Sequence, residues 1–436
     1  MSGDSRLRVL IVGASIAGPT AAYWFAKAGA RVTVIERFPE LRTSGQNVDI
    51  RTVGVTVMRK MPGMEAAVRA KTVPMSGISF LSPSGRPVAT IKPSGNPDQQ
   101  ALISEYEILR GDLARILYDM TKDNDNITYV FGEQVSSIQQ RDHEHDGPVT
   151  VTFVNNTLPP SDFDLVVACD GATSRTRALG LGCGLREHMH PQNQWAAYFS
   201  LPRDGLLDRH NNDLGQLYSA PGGRLTAVAP DAKPGVARAT LMAHYSKASP
   251  DSRMHAFREA QKQGDAALKQ FISQQWTGAG WKCDTVIWGM LQQSSRDFYA
   301  SEIVQVRPPF LHRGRFALVG DAGYAGPTGT GTSLALAGAY VLAGEVCVRH
   351  KGDVRAGLRG YEEVMRPIVR DLQRIPPGLG AVLAPQTWWG LWWRNVVLWV
   401  VWRTGGLGLV QRIVGVFAGA FAGAEKYTLP EYEWEA

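Results

Sequence analysis

Gly13, Gly18 and Glu36 have the types and spacing that grip a dinucleotide. Gly13-Ala-Ser-Ile-Ala-Gly18 follows the apolar run Val9–Val12 directly. In such a turn the first glycine permits a tight exit from a strand. The last lets a following helix pack close to that strand, and the free N–H groups at the helix start then face a pyrophosphate. Ser15 holds the place of the middle glycine with the smallest side chain that keeps a donor. Glu36 ends a second apolar run, Arg31–Ile35, where a carboxylate can accept hydrogen bonds from an adenosine ribose. Arg37 comes next and is placed with the cofactor-binding residues.

Two more stretches of the same kind lie far down the chain. The buried run Phe163–Ala168 leads into Cys169-Asp170-Gly171-Ala172-Thr173-Ser174-Arg175-Thr176-Arg177. Phe316–Val319 leads into Gly320-Asp321, with Pro327-Thr-Gly329-Thr-Gly331-Thr332 beyond it. A phosphate-binding turn needs a strand before it and a helix after it, and the patterning supplies both.

The elements that must position these residues read as follows. Val9–Val12 and Arg31–Ile35 are strands around a helix over Pro19–Ala28, a βαβ unit. The polar loop Arg37–Arg51, which carries Gln46, Asp49 and Arg51, is too long for a simple connection and is expected to be functional. Helices follow over Gly54–Met61 and Met64–Ala70, then a hairpin of Ile78–Phe80 and Val88–Ile91. Ile108–Met120 has helical periodicity, with Arg110 off the centre of its apolar stripe. Trp195–Tyr245 alternates as an antiparallel sheet, and Ser252–Gln275 is helical. Thr332–Arg349 and Val354–Leu372 read as two further helices.

The order and residue types of the three turns resemble the class A flavoprotein monooxygenases, which share the fold of p-hydroxybenzoate hydroxylase. The closer resemblance is to the branch of tetracycline-inactivating and fungal and bacterial tailoring monooxygenases, over roughly residues 8 to 375. Asp170-Gly171, Ser174 and Arg177 fit that family's D-G-x-x-S-x-x-R pattern, and Gly320-Asp321 fits its G-D motif. Arg110, in Ile-Leu-Arg-Gly-Asp-Leu, matches its FAD-contacting arginine, and Gln46–Arg51 matches the segment flanking the flavin. Tyr324 stands where the family often has His. The resemblance implies an α/β fold: a GR2-type Rossmann-like FAD domain, an antiparallel-sheet substrate domain and a C-terminal helical extension. It places the FAD domain in 1–75, 101–185 and 302–375, the substrate domain in 76–100 and 186–301, and the extension in 376–436.

FAD and NAD(P)H are then the expected cofactors. NAD(P)H would reduce FAD, O2 would add as a C4a-hydroperoxide, and one oxygen atom would enter an aromatic or polyketide-like small molecule. Asp321 would accept from ribityl hydroxyls, and Gly329, Gly331 and Thr332 would lie against the flavin. Asp49 is a cofactor candidate, while Arg51 and Tyr324 are the candidate catalytic side chains beside the ring. Tyr198, Tyr218 and Arg224 would face the substrate from the sheet. A flavin dehydrogenase or reductase on the same fold, and a non-catalytic flavin-bound scaffold, are the alternatives.

Composition narrows the partners. The net charge of +6 is scattered, so no nucleic-acid module is expected. Cys169, Cys183, Cys283 and Cys347 have neither C-x-x-C nor metal spacing, which suits reduced thiols, a cytoplasmic location and no metal. The partners are a small-molecule substrate and O2, and the chain would act as a monomer or homodimer. The C-terminus is rich in tryptophan: Trp388, Trp389, Trp392, Trp393, Trp399 and Trp402 precede a stretch with Gly415, Gly419 and Gly423. Arg394, Arg403 and Arg412 interrupt it, so a membrane span is not expected. The expectation is a helix packed across both domains, with its arginines reaching the surface. Peripheral membrane contact through the tryptophans is the alternative.

Overall fold

The computed structural model describes residues 6–42, 45–73, 75–93, 104–140, 147–207, 213–246, 251–292, 297–375, 384–404 and 427–434. The chain begins with β1 (Arg8–Val12), α1 (Ala17–Lys27), β2 (Arg31–Glu36), β3 (Asn47–Asp49), α2 (Val53–Lys60) and α3 (Met64–Arg69). There follow β4 (Gly77–Leu81), β5 (Pro87–Ile91), β6 (Glu107–Leu109), α4 (Arg110–Asp119), β7 (Ile127–Phe131), β8 (Val135–Gln140) and β9 (Val149–Phe153). The middle holds β10 (Ser161–Phe163), β11 (Leu165–Ala168), α5 (Arg175–Leu181), β12 (Met189–Pro202), β13 (Leu214–Ala220), β14 (Arg224–Pro230) and β15 (Val236–His244). Then come α6 (Asp251–Lys262), α7 (Asp265–Trp276), α8 (Cys283–Gln292), β16 (Tyr299–Val306), β17 (His312–Arg313) and β18 (Phe316–Leu318). The last elements are α9 (Asp321–Tyr324), α10 (Gly331–Ala343), a π-helix over Gly344–Arg349, α11 (Val354–Leu372) and α12 (Trp388–Arg403).

β1 is buried on both faces, as a central parallel strand must be. Val9 and Ile11 join the core beneath α1, α2, α10 and α11, whereas Leu10 and Val12 join the core shared with β8, β9 and β10. The six-stranded sheet runs β17-β18-β11-β1-β2-β7 and is parallel except at β17. β18, β11 and β1 are neighbours. Their C-terminal ends therefore share one edge, and the three turns separated by over three hundred residues meet there.

The seven-stranded sheet runs β16-β12-β15-β14-β13-β4-β5. It is antiparallel apart from β13 and β4, which pair in parallel, so the expected purely antiparallel sheet is corrected to a mixed one. Alternation gives it two faces. Trp195, Phe199 and Tyr218 point into a core with Phe257, Ile272 and Trp276 of α6 and α7. Tyr198 and Ser219 belong to the opposite face. β16 lies wholly in this sheet, so a domain boundary at 302 would cut a strand. The chain leaves the sheet at Val306 instead.

Other expectations shift locally. Ile108 and Leu109 are in β6, which pairs with β3, and the helix begins only at Arg110. Asp164 breaks the run Phe163–Ala168 because its carboxylate accepts from the Arg8 amide (2.8 Å). α10 gives way to a π-helix from Gly344. Among the described residues, the stretch Gly331–Arg349 is long and apolar enough to cross a membrane, and 83% of it is buried in the core. α12 packs on the seven-stranded sheet, chiefly on β5 and β13. The described tail, residues 427–434, returns to α1 and α10 without forming a helix. Among the described residues of the extension, α12 thus lies on the seven-stranded sheet and residues 427–434 lie on α1 and α10, so the expected helix packed across both domains is corrected. Gly415, Gly419, Gly423 and Arg412 lie outside the described residues.

Trp276 is fully buried and its Nε1 donates to Thr226 Oγ1 (2.8 Å), which pins α7 to β14. Trp276→Ala is expected to lower unfolding free energy by about 3–5 kcal/mol. Denaturant titration followed by far-UV circular dichroism checks this, and an unchanged midpoint contradicts the packing account.

Candidate cofactor and substrate cleft

Gly13 adopts φ +109°, and an added Cβ would stand 2.6 Å from the Cys169 carbonyl oxygen of the neighbouring turn. At Gly18 a Cβ would stand 1.8 Å from Gly13 O. Glycine is therefore required at both places for α1 to start this close to the sheet. Ile16, at the N-cap of α1, offers no capping side chain, so the amides at the helix start are left to an external acceptor. Glu36 closes the turn: Oε2 accepts from Ala14 N (2.9 Å) and Oε1 from Phe38 N (3.1 Å). Each carboxylate oxygen keeps further acceptor capacity.

Cations gather beside this turn. Arg37 and Arg42 both lie against the Phe38 ring, at 4.8 and 4.7 Å. Burial lowers the Arg42 pKa, and the positive charges of Arg110 and Arg37 lower it further. Arg42 thus sits close enough to both Arg110 and Arg37 to be repelled by them, the kind of field that a diphosphate would relieve. Arg110 opens α4, and its amide donates to Gln46 O (3.0 Å). Its charge also draws down the pKa of Asp321, which burial raises. Asp321 is nevertheless reached by solvent, as a carboxylate on the wall of a recess would be. Its Oδ1 approaches Gly331 so closely that a Cβ there would be 3.2 Å away. α10 starts at Gly331 without a capping side chain, Thr332 is buried in its first turn, and Gly329 in the turn before it has φ +74°.

The turn after β11 is self-contained. Asp170 accepts from Ser174 Oγ and from Thr176 N (3.2 Å) and Oγ1 (2.9 Å). Burial pushes its carboxyl up against the pull of those donors. Arg177 is fully buried. Its guanidinium donates to Ala172 O (3.0 Å), to Ala322 O in α9 (2.9 Å) and to Leu185 O (3.3 Å). It joins the second turn to the third.

A second polar group lines the recess from β3 and β6. Arg51 Nε and one terminal nitrogen donate to Asp49 Oδ2 at 3.0 and 2.6 Å. The Arg51 amide donates to Ser333 Oγ (2.8 Å), which fixes this loop to α10. Asp49 faces Glu107 across the strand pair, and Asn47 Nδ2 donates to Glu107 (2.9 Å). Burial first, then the Asp49 charge, raise the Glu107 pKa to about 7. Gln46 Oε1, Asn47 Oδ1 and Thr52 Oγ1 are buried on this same loop without a hydrogen-bond partner. Buried polar atoms are normally satisfied. A cluster of orphans beside a glycine-lined, cationic recess fits a flavin dinucleotide, whose ring edge and ribityl chain offer both donors and acceptors. Arg42 and Glu107 were not singled out from sequence. Arg42 lies in the polar loop that was, but Glu107 became visible only once β6 paired with β3.

Three expected side chains turn away from the recess. Tyr324 is a core residue: its Oη donates to Leu334 O (3.3 Å) and lies 3.4 Å from Tyr361 Oη. Tyr218 points into the α7–α8 layer and donates to Ala279 O (2.9 Å). Arg224, on the same face, donates to Gln275 O (2.7 Å). Their placement beside flavin or substrate is corrected accordingly. Tyr198 is on the other face, its pKa pushed up to about 12 by burial, and it stacks on Tyr299 at 6.4 Å. Arg42 reaches over the Tyr299 ring (5.9 Å), so this face of the sheet looks toward the cationic recess. Gln194 and His244 share it, with Gln194 Nε2 2.6 Å from His244 Nδ1. Burial lowers the His244 pKa. Among the described residues no group of three or more His, Cys, Asp or Glu is placed to hold a metal ion.

Known proteins resemble this chain in sequence and fold. The sequence profile of the FAD binding domain family matches residues 6–275. FAD-dependent monooxygenase asL4 of Sarocladium schorii is 32% identical over 423 residues, covering 91% of this chain and 92% of that protein. Monooxygenase CTB7 of Cercospora beticola is 32% identical over 414 residues, covering 92% and 94%. The crystal structure of tetracycline destructase Tet(51) superposes with a TM-score of 0.73 at 25% identity, over 98% of this chain and 100% of that one.

Arg177→Lys puts one ammonium where a fork reached three carbonyls, and stability should fall by roughly 1.5–3 kcal/mol. Denaturant unfolding measures it, and an unchanged midpoint would show that the three bonds are not needed. Glu107 gives a pH signature. Its folded pKa of about 7 lies above the usual carboxylate value, so its stabilising contribution is present at acid pH and lost as pH rises toward 7. Glu107→Gln should therefore gain on the native protein by at most about 3 kcal/mol between pH 4.5 and 8. Thermal melts of both proteins across that range test the sign, and parallel pH curves would refute it.

Proposed function

Because the chain belongs to the FAD binding domain family of flavin-dependent monooxygenases, we propose that it uses NAD(P)H and O2 to insert one oxygen atom into an aromatic or polyketide-like small molecule. The observation that carries this reading is the meeting of Arg37, Arg42, Arg110 and Asp321 at one sheet edge, opposite the Tyr198 face of the second sheet. FAD, when bound, supplies the reduction of O2 and the transfer of its oxygen atom. The protein's part is positional. Glu36 receives the adenosine ribose, Ser15 and the start of α1 receive the pyrophosphate, and the three arginines neutralise it. Asp321 and Asp49 accept from the ribityl chain and its surroundings. The uncapped start of α10, with Gly329, Gly331 and Thr332, opposes negative charge on the ring. Arg51, held by Asp49, keeps the flanking loop in place. Asp170 and Arg177 shape the edge from beneath.

The substrate lies against the Tyr198 face. Gln194 Nε2, as a donor, makes His244 Nδ1 the acceptor and leaves its Nε2–H to hold a substrate oxygen. A neutral imidazole suits that work, and its lowered pKa keeps it neutral. In this reading the GR2-type FAD domain comprises residues 1–75, 101–185 and the chain from Arg307 to 375. The substrate domain comprises 76–100 and 186 to Val306, a division supported by sheet membership.

Substrate-dependent NAD(P)H oxidation, O2 uptake and product mass after reaction under 18O2 test the proposal together, using a panel of phenolic and polyketide compounds. The expected result is coupled consumption and a product heavier by one labelled oxygen. Substrate oxidation that proceeds at full rate without O2 would assign a dehydrogenase instead.

A further inference from the structure

α12 is built inside out. Its inward stripe consists of Leu391, Arg394, Asn395, Leu398 and Val401, on one side of the helix at about 100° per residue. Arg394 is buried there, contrary to the expectation that it reaches the surface. Its guanidinium donates to Ser219 Oγ (2.8 Å) and to Asn395 Oδ1 (2.7 Å), and it lies 5.9 Å from the Phe80 ring. The opposite half of the helix carries Trp388, Trp389, Trp392, Trp393 and Trp399, and Trp402 stands near its C-terminal end, each 45–72% exposed. A helix that is apolar nearly all round requires apolar cover nearly all round. The seven-stranded sheet covers only the stripe that holds the polar pair.

We propose that this tryptophan face seats α12 in the headgroup boundary of an anionic lipid bilayer, parallel to its plane. Two observations select lipid as the occupant. The exposed set is tryptophan, the residue that favours the membrane–water boundary, where its ring is buried and its N–H stays wet. The charge is also complementary: Arg403 is exposed at the C-terminal end, and no Asp or Glu occurs between Asp371 and Glu425. Crossing the bilayer is ruled out by length and by bonding. Sixteen residues reach about 24 Å, short of a hydrocarbon core of about 30 Å. Arg394, moreover, is tied to the protein.

The test uses the full-length holoprotein and phosphatidylcholine vesicles, with and without about one third phosphatidylserine. Flotation should recover at least about fivefold more protein with the anionic vesicles. Tryptophan emission should shift to the blue and be quenched by brominated acyl chains. The variant Trp388→Gln/Trp389→Gln/Trp392→Gln/Trp393→Gln should keep its flavin absorbance and lose flotation about tenfold. Flotation that is unaltered in the variant overturns the proposal, as does a native protein that stays with the soluble fraction. A dimer by analytical ultracentrifugation that the variant dissociates, with no flotation of either protein, would assign the face to a second copy of the chain.

Discussion

A buried cation holds the functional edge together. Arg177 has no solvent around its guanidinium, yet its donors reach three main-chain oxygens, one of them in α9. Removing an arginine from water costs several kcal/mol unless its donors are satisfied. Asp170 nearby adds a favourable field. The turns after β11 and β18 are thereby fixed relative to each other without any bound group. The turn after β1 is locked to the same frame by contact, since Gly13 lies against the Cys169 carbonyl. Three turns distant in the chain become one rigid edge, and rigidity there is what lets dipoles and charges act without reorganisation.

That edge is electrostatically unbalanced by construction. Arg37 and Arg110 crowd Arg42, and Asp321 sits where burial disfavours its carboxylate. Gln46, Asn47 and Thr52 present buried oxygens with nothing to bond. Each is a small cost to the protein alone, of the kind that a dinucleotide anionic at one end and donor-rich at the other would relieve. Binding energy is stored in the fold as unmet electrostatic demand.

The parallel core was legible because its signals are local and redundant. A β-branched run, a glycine turn, a helix and a terminal Glu each point to the same unit. Positions around the recess were legible where backbone sets them, as at Gly13, Gly18 and Asp321. Side-chain direction was not. Alternation along β13 and β14 shows that Tyr218 and Thr226 share a face, but not that α7 and α8 cover it. Tyr324 follows the G-D pair by three residues, and one turn of α9 swings it into the core beside Tyr361. Ile108 and Leu109 fit a helical stripe equally well as a strand, and only pairing with Asn47 and Val48 decides between them. These failures share a cause: the deciding partner is remote in sequence.

The described tail shows the same dependence at its extreme. Trp434 lies 4.7 Å from Trp24 of α1, and Tyr432 donates to the buried Glu345 (2.7 Å). Pro430 O accepts from Tyr340 (2.9 Å). The aromatic face of α1 is therefore covered by residues some four hundred positions later. The βαβ unit is made before these residues, and until they follow, that aromatic face is bare. Its core closes only once the chain as far as residue 434 can fold back on α1, so a unit whose signals are local is completed by a contact of the longest range in the molecule.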